Sequence, residues 1–172
     1  MPIPERLRSL TPTEQEMRAF MELRARIETA LERREDATEL LARWNARARR
    51  VYLLTDFDYR GRLRRDILVA EMLLGAPAFV PDLTHAEALD VVRAMNAGEL
   101  SEVVESYFLD WLEVNLPGAY VSGLLHWPDE WFVAVIEGEL SAEQVLAYAM
   151  ARSGRQLPGA PADVPMPYPM PT

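Results

Sequence analysis

The stretch FMELRARIETALERREDATELLARWNARARRV, Phe20–Val51, decides how this chain is read. It lies within residues 13–60, a run of 48 positions with neither Gly nor Pro. Its apolar side chains recur at alternating spacings of three and four: Phe20, Leu23, Ile27, Ala30, Ala37, Leu41, Trp44, Ala48 and Val51, with Arg34 as the one polar residue in the series. Such a period lines one side of an α-helix. The reading is one long helix over about 12–51, with a helical hairpin bending near Arg34-Glu35-Asp36 as the alternative; there Asp36 and Glu39 are spaced as a second capping box. A straight helix over Thr13–Val51 would be roughly 58 Å long at about 1.5 Å per residue. A compact chain of this length is roughly 40 Å across. The overhang leads to the expectation that the seam of Phe20, Leu23, Ile27, Leu41 and Trp44 is covered by a protein partner or by self-association. Ala30, Ala37 and Ala48 are too small for a strong autonomous coiled coil, so packing against later helices of the same chain stands as the competing arrangement.

Outward from this stretch, helix starts are written plainly. Thr84-His85-Ala86-Glu87 and Ser141-Ala142-Glu143-Gln144 have the capping-box spacing, in which a hydroxyl accepts an orphan backbone N–H and the later side chain accepts from the cap. Thr11-Pro12-Thr13-Glu14 reads as a third start with Pro at the first helical position. Gly75, Gly98, Gly138 and Gly154 follow apolar runs, where helices end. These signals predict helices near 12–51, 62–74, 84–97, 101–115, 118–126, 129–137 and 141–153. Val51–Phe57 has strand character but no second strand to pair with. The expected class is an all-α helical bundle in one domain, residues 1–157, followed by an extended tail over 158–172. Six of those last fifteen residues are Pro, which excludes helix and favours a polyproline II path. Pro165, Met166, Tyr168 and Met170 give the tail enough apolar surface to lie on its own domain or to dock on another chain.

The 172 residues carry a net charge of −9 and no Cys, which removes disulfides and thiolate chemistry. All basic residues are Arg, so lysine Schiff-base and phosphate-loop chemistry are excluded. The first ten residues lack the apolar core of a signal peptide, and a cytoplasmic protein is the expectation. Charge is uneven. Residues 43–66 hold eight Arg and three Asp, a net of +5, whereas the rest holds ten Arg and 24 acids, a net of −14. Arg43, Arg47, Arg50, Arg60, Arg62, Arg64 and Arg65, interleaved with Trp44, Tyr52 and Tyr59, form a candidate surface for a carboxylate-rich partner or for phosphates. Glu99, Glu102, Glu105, Asp110 and Glu113 form an internal acidic counterpart that pairing would consume.

The two histidines and the clustered acids are the candidates for catalysis. Neither His85 nor His126 has a Glu or His at metal-ligand spacing on a predicted helix, so no metal and no cofactor are expected. Ser122 and His126 lie one turn apart, a spacing common by chance, and Glu99, Glu102 and Glu105 read first as a solvated face. The sequence therefore leads to a non-enzymatic helical protein that binds another protein, in the manner of an immunity protein, an assembly chaperone or a structural adaptor of a bacterium or phage. A nucleic-acid-associated regulator using residues 43–65 and a small helical enzyme with carboxylate chemistry are the alternatives.

Overall fold

A computed structural model describes residues 12–57 and 65–171. Every regular element among them is helical. By their contacts they form two compact units, within residues 6–76 and 77–172, where the sequence reading groups 1–157 together.

In the N-terminal unit, α1 spans Glu14–Glu32, α2 Thr38–Asn45 and α3 Arg65–Leu74, with a 3₁₀ turn at Leu54–Asp56. The first helix starts two residues later than the Thr11-Pro12 signal: Thr13 is the cap, its Oγ1 accepting from Glu16 N–H at 3.1 Å while Glu16 Oε2 accepts from Thr13 N–H at 3.1 Å. The continuous helix over 12–51 does not occur. It is stopped at Arg33–Ala37, because Arg34 adopts a left-handed φ of 57°. Glu35 N–H then bonds Ala30 C=O at 2.8 Å and Arg34 N–H bonds Leu31 C=O at 3.1 Å, the paired closure of a Schellman motif. Asp36 Oδ1 accepts from Thr38 N–H at 2.9 Å and starts the second arm, without Glu39 returning a bond to it.

Folding back turns the two halves of the stripe inward. Leu23, Ile27 and Trp44 are buried with Tyr52, Phe57 and the inner face of α3, and Phe20 and Leu41 pack at the edge of that core. The Trp44 indole is its centre, meeting the rings of Phe20, Tyr52 and Phe57 edge-on at 5.9, 5.7 and 5.0 Å. Asn45 fixes Tyr52 by two reciprocal 2.9 Å bonds to its backbone. Arg49 closes α3 through its N–H to Met72 C=O and its Nε–H to Leu73 C=O. A Cβ at Gly75 would stand 3.0 Å from Arg49 Cβ, and the φ of 78° there is one that glycine adopts without strain.

The C-terminal unit holds α4 His85–Asn96, α5 Glu102–Asn115, α6 Val121–His126, α7 Pro128–Phe132 and α8 Ala142–Ser153. Thr84 and Ser141 form the two capping boxes read from the sequence. The helix expected over 129–137 ends at Phe132, because Val133 turns left-handed at φ 55°. Gly123 leaves room for Trp131, whose Cδ1 would lie 3.0 Å from a Cβ there, and Trp131 Nε1–H donates to Ala119 C=O at 2.9 Å. Fully buried Asn115 ties the 78–80 segment to α5: Oδ1 accepts from Val80 N–H, and Nδ2 donates to Ala78 and Trp111 carbonyls. Arg155 adds bonds from the far side to Asn115 C=O at 2.8 Å and Val80 C=O at 2.6 Å. Among the described residues, no helix is long and apolar enough to cross a membrane.

Candidate functional site

The seam assigned to a partner is used inside the N-terminal unit. Leu23, Ile27 and Trp44 are core residues there, and Phe20 and Leu41 are half-buried against them. The arginine segment is partly engaged as well. Arg47 pairs with Glu16 at 3.1 Å, and Arg50 lies 3.7 Å from Asp56 with its guanidinium 3.8 Å above the Tyr52 ring. Thr13 N–H and Arg47 together hold the Glu16 carboxyl below its usual range. Arg43 is exposed. Tyr59, Arg60, Arg62 and Arg64 lie outside the described residues, and Arg65 opens α3.

The Pro-rich tail lies on its own unit. Tyr148 Oη donates to Tyr168 C=O at 2.6 Å and accepts from Tyr168 N–H at 2.7 Å. Tyr168 repeats the device, its hydroxyl accepting from Glu137 N–H at 3.0 Å and donating to Glu137 C=O at 3.1 Å. The Tyr168 ring stands 5.4 Å from Phe132, and Gln144 Nε2–H reaches Pro165 C=O at 3.4 Å. Burial pushes the Tyr148 hydroxyl above its usual pKa, against the opposing effect of its bond with Tyr168. Pro165 and Met166 remain exposed on the outer side.

These bonds pin one end of the loop after α7. Its other end is held by Asp129, whose carbonyl accepts from Ala134 N–H at 3.1 Å and whose Oδ1 accepts from Ile136 N–H at 2.8 Å. Between the pins, Val133 and Val135 are 86% and 84% exposed, and nearby Trp127 is 56% exposed. Glu130, Glu137 and Glu139 flank this segment along the chain, exposed and without an ion-pair partner among the described residues. Residues 77–172 contain fourteen acids against three arginines, a net of −11.

Next to the loop is an open cleft of about 360 Å³ between α4, α5, α6 and the Gly138–Leu140 turn. Leu124, Leu140 and Val145 give it a buried apolar floor, while Glu105, His126 and Glu139 stand on its rim. His126 Nε2 lies 3.3 Å from Glu105 Oε1, and its ring meets Trp127 edge-on at 5.5 Å. The partner of His126 is therefore Glu105 rather than Ser122. Of the Glu99, Glu102 and Glu105 series, only Glu105 lines the cleft.

Compared with known proteins, the chain matches no family model, no curated protein and no solved structure. The loop and the cleft were missed by sequence reasoning. The run Val133-Ala134-Val135-Ile136 looked like the last turn of a helix, and Glu105 and His126 are 21 positions apart with no spacing rule to join them. Gly138, just after Ile136-Glu137, was the available sign that a turn lay nearby.

Proposed function

We propose that this protein acts by binding another protein, with the acidic C-terminal unit as the contact surface and a basic client as the partner. The observation that carries this reading is the 133–137 loop: two valines held outward on a backbone pinned at both ends, amid carboxylates that have no cation of their own. Ordered apolar side chains bind with little loss of freedom, because the ordering is already in place. Uncompensated carboxylates around them favour encounter with a cationic surface and disfavour a polyanion. Among the settings open to such a protein, neutralisation of a cationic toxin by an immunity protein suits this charge best. An assembly chaperone or adaptor with a basic client uses the same physics.

The test is calorimetric titration of the full chain with the basic product of a neighbouring gene, repeated for Val135→Asp and Trp127→Ala. Val135→Asp is expected to weaken binding by at least about tenfold, as loss of a central apolar contact does. The association rate is expected to fall as salt rises. Affinity unchanged in both variants removes the reading. The arginine-segment alternative is decided in parallel by anisotropy with duplex DNA at low salt. Binding there with a linear logarithmic salt dependence, lost on replacing Arg62, Arg64 and Arg65, would take its place.

A further inference from the structure

We propose that the cleft between α4, α5, α6 and the Gly138–Leu140 turn receives an arginine side chain of the protein partner; this rests on the protein-binding reading above. The cleft is built in two zones. Its floor of Leu124, Leu140 and Val145 suits a methylene stem, and its rim presents the carboxylates of Glu105 and Glu139. The imidazole of His126, which lines the cleft 3.3 Å from Glu105, supplies a flat face beside them, and the exposed indole of Trp127 lies edge-on to that imidazole, outside the lining itself. A guanidinium fits this combination better than an ammonium, since it is planar, weakly hydrated, able to bond carboxylates in pairs and able to stack on rings.

The unit's own three arginines are occupied elsewhere. Arg93 pairs with Glu143 and lies 3.9 Å from Asp90. Arg152 lies over the rings of Tyr120 and Trp131. Arg155 is bonded to the carbonyls of Val80 and Asn115 and sits over Phe79. With a local net charge of −11, the complement has to come from outside this unit.

The experiment uses isotope-labelled full-length protein titrated with Nα-acetyl-arginine amide, with the lysine amide and the neutral isostere citrulline amide as comparisons, followed by amide NMR shifts. Saturable shifts confined to Glu105, Leu125, His126, Gly138 and Glu139 are expected for arginine, weaker ones for lysine and none for citrulline. The double variant Glu105→Gln/Glu139→Gln is expected to weaken arginine binding at least about tenfold. Should that variant fail to fold by circular dichroism, Glu139→Gln alone serves, since Glu139 is exposed and bonded to nothing among the described residues. No shifts, or shifts spread over all carboxylates and unchanged in the variant, overturn the proposal. A dimer in sedimentation that arginine amide and Glu139→Gln both disperse would make a second copy the occupant and overturn it too. A client that binds the double variant normally but loses affinity for Val135→Asp sinks the cleft and leaves the proposed function standing. Arginine amide saturating the cleft while no basic client binds does the reverse.

Discussion

Val133 combines a left-handed φ of 55° with a side chain that touches almost nothing. A β-branched residue in that region is under strain of order 1–3 kcal/mol, which packing does not offset here. Asn tolerates the same backbone. Val133→Asn is therefore expected to raise stability by about 0.5–1 kcal/mol in chemical denaturation, and a loss of stability would mean that the valine methyls have a packing role. His85 is the opposite case, a buried polar residue whose Nε2 has no hydrogen-bond partner among the described residues. Burial, with the charge of Arg93 adding to it and that of Glu143 opposing it, holds its pKa below 6.5 in the folded state. The unfolded chain thus takes the proton first. Stability is complete above about pH 6.5 and falls as pH drops from there through the folded value. His85→Phe is expected to flatten that slope, measured as the urea midpoint against pH. The Glu143 carboxyl, lowered from 4.5 mainly by its bond from Arg93, contributes stability above that value, lost at lower pH.

At the scale of elements, the tail is held by two tyrosine hydroxyls that each imitate a strand neighbour, accepting one N–H and donating to the C=O of the same residue. Removing the first leaves two half-buried backbone groups of Tyr168 unpaired. Tyr148→Phe is expected to cost about 1–3 kcal/mol and to speed proteolysis within residues 160–171 before any loss of helix. Unchanged cleavage would show that the Tyr168–Glu137 bonds, the Gln144–Pro165 bond and ring packing on Phe132 suffice to secure the tail. The same scale explains the broken N-terminal helix. Arg34 is both the residue that interrupts the apolar series and the residue at the left-handed position. The interruption was visible and marked where the hairpin alternative bends, as the chain does, but it could not decide for the bend, because glycine is the usual occupant there and arginine has good helix propensity.

For the molecule as a whole, charge is the organising fact. Residues 1–76 carry a net of +2, and residues 77–172 a net of −11 with only three cations. Self-repulsion of that kind destabilises a compact unit and is screened within about 10 Å at 0.1 M salt. Amide exchange in α4–α8 is expected to slow as salt is raised from about 0.01 to 0.3 M. Exchange that is indifferent to salt would indicate that the surplus carboxylates lie too far apart for their repulsion to weigh on the fold.

The amino-acid sequence by itself determined that the protein is helical, and it placed most of the boundaries. Capping boxes at Thr84 and Ser141 and the left-handed glycines after the apolar runs are local devices, and their physics is complete within a few residues. Only the tertiary structure decided that Phe20 to Trp44 form a core instead of a docking edge, that Glu105 meets His126, and that Val133 and Val135 face water. Periodicity records that a stripe must be buried and is silent on what buries it. Arg34 turning left-handed brings the halves of the stripe onto a shared core, and Asp129 and Tyr168 hold the loop from positions that no local pattern connects.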